Sequence, residues 1–355
     1  VTARPLAAAL LALAPALAAA ALRPAYGGEL RVGLPLLPRL TDPALAVQPA
    51  DAAAARALHA TPLRLGPGGA LEPGLLAEVP APQPGGRAFR LTLREGLRFA
   101  DGTPLGALDL AASLARLCRP EVGSPHAWVA LAVQGADAVL EGRAASLSGL
   151  QVLSDRELLV TLAFPMPEFP WALAALPAAV VSPAGAGAGP FRRDARADRL
   201  VASEHHWRGR PFADALAFAA VDPRGAARAL EAGQLDLSLR PEPAPGAAPT
   251  PLLGAVVAAV NGHRLGASAD PVRRALARLD RAELARRFVR APAEPQLGLL
   301  PAAVLPGAAA PAPPAGAGPA PSRLVLLVPG WLADARAVAE RLQVKLFDAG
   351  LRAAL

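Results

Sequence analysis

The stretch EGLRFADGTPLGALDLAASLARL, residues 95–117, joins a tight polar turn to an amphipathic helix, and that junction decides the fold. Just before it, Phe89, Leu91 and Leu93 alternate with Arg90, Thr92 and Arg94, the period-2 pattern of a half-buried strand. Asp101-Gly102 then turns the chain: Gly102 takes positive φ without steric penalty, and Pro104 fixes the following φ. Asp109 falls in the first turn of a helix that Gly106 can cap, and Leu110, Leu114 and Leu117 make its buried stripe. The unit reads as scaffold without chemistry of its own.

Outward from this unit, Glu157 to Phe164 reads as a second strand, and Pro165, Pro167 and Pro170 break whatever follows until a helix around Trp171 to Leu176. DPVRRALARLDRAELARRF, from Asp270, predicts two helices, with Asp270 capping the first, Pro271 at its opening position, and Asp280 with Glu283 forming a capping-box-like pair. Residues 306–322, PGAAAPAPPAGAGPAPS, form a Pro/Ala/Gly linker that supplies no core. Arg323 to Val328 reads as a buried strand. Asp334 to Ala349 reads as a helix with Val338, Leu342 and Leu346 on one face, ended by Gly350.

With 355 residues and 53% hydrophobic content the chain can bury a large core over about two domains. Residues 1–21, VTARPLAAALLALAPALAAAA, have an early Arg4, an apolar run from Leu6 and a small-residue end, the pattern of a secretory signal; a retained anchor is the weaker alternative because the run is short and Pro15 interrupts it. Cys118 is the one cysteine, so there is no disulfide framework and no cysteine at the cleavage site to carry a lipid. Formal charge is +7, and removing the signal with Arg4 leaves 7 − 1 = +6. Lys345 is the sole lysine, and the arginines are interleaved with acids, so nucleic-acid binding gains little support. The clusters Arg192/Arg193/Arg196/Arg199 and Arg286/Arg287/Arg290 are explained more cheaply as solvated faces than as anion sites.

The 95–117 stretch resembles the signature EGxxFxDGTPxxAxDVxxSxxR of the solute-binding proteins that serve peptide, opine and nickel ABC importers. Five further segments, two before this stretch and three after it, keep the family's order. GGELRVG, 27–33, is similar to its opening strand, and Thr41-Asp42-Pro43-Ala44 to the loop after it. GAGPF, 187–191, matches GTGPF except for Ala188. WRGRPFAD, 207–214, resembles YWxGxPxxD with His206 where Tyr is usual, and ALEAGQLDL, 229–237, resembles ALxxGxxDL. The resemblance runs from about Gly27 to Pro301 and weakens beyond.

The resemblance implies an α/β, two-lobe periplasmic-binding-protein-like (type II) fold with an incomplete second lobe: a first lobe at 22–260 with an inserted subdomain at about 60–165, and a partial second lobe at 261–355. It implies a monomeric periplasmic receptor that captures a peptide-like or related small solute and delivers it to the permease subunits of an ABC importer, touching the membrane only through the permease and needing no cofactor. The alternative is a degenerate, shortened relative without transport function. In this class a cleft holds the solute with backbone polar groups and aromatic walls. Trp128 is the preferred ligand contact, since nickel-type relatives have a similar HAW segment after the same helix; a packing tryptophan is the competing reading. His126 accompanies it, and Asp42, Ala44 and Leu45 lie on the loop that borders the cleft in relatives. Those relatives hold ligand carboxylates with arginines where this chain has Pro125 and Ala178, which puts metal-chelate binding in doubt.

No enzyme constellation is present: HExxH, GxSxG and CxxC are all missing, and Ser268 in GASAD has no motif partner. His205-His206, read as strand neighbours, point to opposite faces and do not jointly hold a metal. Trp207 reads as structural.

Overall fold

Three sheets, of five, three and two strands, carry the first part of the chain among the described residues. The computed structural model describes residues 25–66, 69–196, 198–238, 257–289, 295, 318–328 and 334–355. The expected signal at 1–21, most of the expected linker at 306–322, and Trp331 lie outside these residues. The chain divides into two units, 1–239 and 240–355. The division precedes residue 260 because Val260 packs with the core of the second unit.

In chain order the strands of the first unit are β1 (Glu29–Leu34), β2 (Leu63–Leu65), β3 (Leu71–Pro73), β4 (Ala88–Thr92), β5 (Leu150–Val152), β6 (Glu157–Thr161), β7 (Phe191–Arg193), β8 (Arg199–Ala202), β9 (Ala215–Ala220) and β10 (Leu237–Ser238). One sheet has the order β10-β1-β9-β8-β7, with β1 parallel to both neighbours and β8 antiparallel to β9 and β7. The helix Pro49–Leu58 covers it, and Ala50, Ala54 and Leu58 pack on Val32, Leu34, Phe191, Leu200 and Phe218.

The second sheet is antiparallel, β4-β6-β5, with Phe89 opposite Val160 and Leu91 opposite Leu158. The period-2 reading holds: Phe89, Leu91 and Leu93 are all buried. The helix Ala107–Arg116 packs into the same core through Leu110 and Leu114, followed by Leu117 just past its end. Gly106 precedes this helix, and its N–H is taken at 2.9 Å by the Asp109 carboxylate. Gly102 turns at φ 88°, with the Asp101 carboxylate accepting both the N–H and the hydroxyl of Thr103 at 3.0 and 2.6 Å.

Between the sheets in sequence, the helix expected at 171–176 is two short pieces, Phe169–Ala172 and a 3₁₀ turn at Leu176–Ala178, because Pro170 and Pro177 each start a new one. His205 and His206 lie in a turn and not on a strand. His206 Nδ1 faces the Gly209 carbonyl at 3.2 Å, while the His205 ring stands against Gly102. Trp207 packs against the larger core, with the Arg94 guanidinium 4.5 Å from its ring centroid.

In the second unit, Val272, Leu324, Leu346 and Leu351 form the core, with β11 (Leu324–Val325) parallel to β12 (Ala353–Ala354). The first expected helix begins at Ala269, two residues before the expected opening at Pro271: a 3₁₀ turn at Gly266–Ser268 runs straight into it, so Asp270 lies inside the first turn and pairs with Arg273 at 3.1 Å. Asp280 does cap Arg281–Phe288, accepting the Glu283 N–H at 2.9 Å. The reciprocal half of the box is absent, because the Glu283 carboxylate takes Arg341 of the helix Ala335–Asp348 at 2.6 Å. Asp280→Ala is expected to cost this unit about 1 kcal/mol, the worth of one N-cap. Urea denaturation followed on the second unit would show it, and an unchanged midpoint would mean the cap carries no weight.

Among the described residues no helix is long and apolar enough to cross a membrane.

Candidate functional site

The loop after β1, residues 35–48, is fixed in place by side chains from four other segments. Asp51, in the first turn of Pro49–Leu58 and 2% exposed, accepts the N–H groups of Arg39 and Leu40 at 2.7 and 3.0 Å. His59, just beyond that helix, donates from Nε2 to the Thr41 carbonyl at 3.1 Å. Arg116 closes the helix Ala107–Arg116 and reaches the Asp42 carboxylate at 2.5 Å. Arg193, the last residue of β7, donates to the Thr41 hydroxyl.

Farther along the loop, the Asp42 carboxylate accepts the Ala44 N–H at 2.9 Å, and the Asp42 carbonyl accepts those of Leu45 and Ala46 at 3.0 Å. Ser124 donates its hydroxyl to the Ala44 carbonyl at 2.6 Å and accepts the His126 N–H at 3.1 Å. His126 Nε2 lies 3.1 Å from the Ala46 carbonyl, and since a carbonyl only accepts, that nitrogen carries the proton. Leu176 packs on Ala46 and Ala55 from the other side.

The structure therefore brings Asp42, Ala44, Leu45 and His126 into one hydrogen-bonded cluster. Trp128 stands two residues past His126 on the 3₁₀ turn Ala127–Val129, and its indole is 53% exposed. Val47 and Leu131 are about half exposed as well. Ala44 is buried with both backbone groups engaged, so it serves the frame of the loop. The Ala178 methyl is buried, and Pro125 sits between the two frame residues Ser124 and His126; neither position offers a cation.

Charge inside the cluster is arranged by burial and pairing. Burial pushes the Asp42 carboxyl up, but the Arg116 hydrogen bond, the Ala44 N–H and the nearby positive charge outweigh it and hold Asp42 below the usual carboxylate range. His59 is pushed down to about 4, first by burial; the Thr41 carbonyl and Asp42 oppose this, and Arg193 and Arg116 add to it. Its Nδ1 has no hydrogen-bond partner among the described residues.

Sequence reasoning did not single out Asp51, His59, Arg116 or Ser124. One signal was available: Ser113 and Arg116 are the Ser and Arg that close the 95–117 signature. Ser113 Oγ accepts the Val181 N–H at 3.0 Å while Arg116 pins Asp42, so both fixed polar positions tie distant segments together.

Residues 70–326 match the family model of the bacterial extracellular solute-binding proteins, family 5 Middle, and the chain belongs to that family. A dipeptide-binding protein of Lactococcus lactis is 35% identical over 89 residues, which cover 25% of this chain and 16% of that protein. The periplasmic murein peptide-binding protein MppA of Escherichia coli is 35% identical over 86 residues, 23% of this chain and 16% of its own length. The aligned stretch is thus a small part of either relative.

Among solved structures, the Escherichia coli murein tripeptide binding protein MppA matches with a TM-score of 0.77 at 24% identity, over 92% of this chain and 74% of that one. OppA of Burkholderia pseudomallei matches with a TM-score of 0.62 at 19% identity, over 91% and 67%. The fold is the mixed α/β architecture of the two-lobe periplasmic peptide-binding proteins.

Proposed function

We propose that the chain is a periplasmic receptor that captures a peptide-like solute as a monomer and delivers it to the permease of an ABC-type importer. The observation that carries this reading is the clamped loop at 35–48 with an exposed indole beside it. A loop held by Asp51, His59, Arg116, Ser124, His126 and Arg193 is ordered before any solute arrives, so binding pays little for arranging it. Trp128 adds a broad apolar wall with one donor. The peptides that these relatives are named for support a peptide as the solute. Pro125 and Ala178 argue against a metal chelate, since neither supplies a cation for chelator carboxylates. The reading involves no covalent step and no cofactor.

A thermal-shift screen of the chain against di- and oligopeptides, opines and nickel chelates tests it, because a ligand of the folded state raises the melting temperature by mass action. Peptides are expected to give a saturable shift. A cooperative melt unmoved by every solute would instead favour a family member that has given up transport. For the peptide that binds, Trp128→Ala is expected to weaken affinity about tenfold, the order of one aromatic contact in a binding face. Its far-UV circular dichroism should match the parent, since half the ring already faces water. Equal affinity in the variant would remove Trp128 from the site.

A further inference from the structure

The loop that holds Asp42 and Leu45 is flanked by positive charge that the protein leaves uncompensated. Arg193 spends one N–H on the Thr41 hydroxyl, which is neutral, and has no ion pair among the described residues. Arg39, two residues before Thr41, is exposed and likewise has no ion pair among them. The acids close by are already committed: Asp42 is bound to Arg116, and Asp51 is buried with two backbone N–H groups on one of its oxygens. Two other arginines of the same sheet are paired, Arg199 with both Glu29 and Asp194 and Arg31 with Asp236, whereas Arg192 beside Arg193 has no ion pair among the described residues either but makes no side-chain hydrogen bond to the loop among them. Arg193 is thus set on the loop by one hydrogen bond, and the residue is exposed.

We propose that Arg193, seconded by Arg39, is the anion-recognition group of this receptor, and that the solute presents a carboxylate to it beside Thr41. The proposal rests on the solute lying along the 35–48 loop. A guanidinium offers paired N–H donors matched to a carboxylate, and one anchored by a hydroxyl loses less freedom when it binds. The carboxylate comes either from the C-terminus of a peptide or from an acidic side chain.

The experiment uses the whole chain, a randomised tripeptide pool, and four defined probes: trialanine, trialanine amide, Ala-Glu-Ala amide and Ala-Gln-Ala amide. Titration calorimetry is run on the parent, Arg193→Gln, Arg193→Lys and Thr41→Val. In the parent, at least one carboxylate-bearing probe is expected to bind about tenfold or more tightly than its neutral counterpart. Preference for trialanine over its amide identifies the C-terminus as the source, and preference for Glu over Gln identifies the side chain. Arg193→Gln should erase the preference while the neutral probes keep their affinity, Arg193→Lys should restore part of it, and Thr41→Val should reduce it. Peptide binding without any preference for a carboxylate overturns the anion site and leaves the receptor reading standing, as does a preference that survives in Arg193→Gln. No binding from the pool sinks the peptide reading, and with it this proposal. Cooperative melting of each variant separates a lost site from a lost fold.

Discussion

Gly189→Ala is expected to destabilise the first unit by roughly 3 kcal/mol or more, at the upper end of what overpacking costs, and in many preparations to prevent folding. The cause is backbone meeting backbone. A Cβ on Gly189 would stand 2.4 Å from the Leu58 carbonyl carbon, 2.5 Å from the Ala57 oxygen and 2.6 Å from the His59 nitrogen. These atoms end the helix Pro49–Leu58, and the Gly189 N–H bonds the Leu58 carbonyl at 2.9 Å, so the two segments cannot part without breaking that contact. Gly187 is equally tight, with its imagined Cβ 2.1 Å from the Leu58 oxygen. The glycines of the GAGPF turn are therefore there for close approach to a helix end. Chemical denaturation of the variant decides the matter: a midpoint within error of the parent would show that the helix end yields, and that the motif has another purpose.

The second large effect is a loss of stability on acidification that runs through His59. An unfolded histidine titrates near 6.5, whereas the folded imidazole is pushed down to about 4, chiefly by burial. The folded state thus binds fewer protons than the unfolded state between these values, and stability falls as pH drops through that window. It is complete above about 6.5 and fully lost below about 4, amounting to roughly 3 kcal/mol at 1.36 kcal/mol per unit. Protonation would also place a cation beside Arg116 and Arg193. His59→Gln keeps a donor for the Thr41 carbonyl and removes the titration, so its unfolding free energy should change much less between pH 7 and pH 4.5. Parallel pH profiles for parent and variant would exclude His59 as the source.

The parts of the fold that were legible in the sequence are those written in short-range periodicity. Phe89, Leu91 and Leu93 declared a strand, Leu110 and Leu114 a helix, and Gly106 with Asp109 its start, because each pattern is complete within a few residues. Asp270 misled for a related reason: an Asp-Pro pair resembles a helix opening, and nothing local reveals that a 3₁₀ turn already leads into the helix. The candidate site was legible only in part. Trp128, His126 and Asp42 stood out through resemblance. What holds them is long-range: Arg116 to Asp42 spans 74 residues, and Ser124 to Ala44 and His126 to Ala46 each span 80. A serine or arginine used once, across such a distance, leaves no periodic trace. Arg193 was read together with Arg192, Arg196 and Arg199 as a solvated face; the structure separates it from Arg196 and Arg199, which pair with acids.

The position of β1 inside its sheet also sets the order in which the unit can be completed. This strand opens the described chain, yet its neighbours β9 and β10 arrive only after residues 215 and 237, and the Arg31–Asp236 bond joins positions 205 apart. Contacts this distant close large loops before they stabilise anything, which slows folding. During synthesis β1 waits with both edges open while the strands of the β4-β6-β5 sheet all come from residues 88–161. A nascent chain stopped short of β9 would carry a finished subassembly and an orphaned strand, a natural target for holding chaperones and the point at which aggregation would begin.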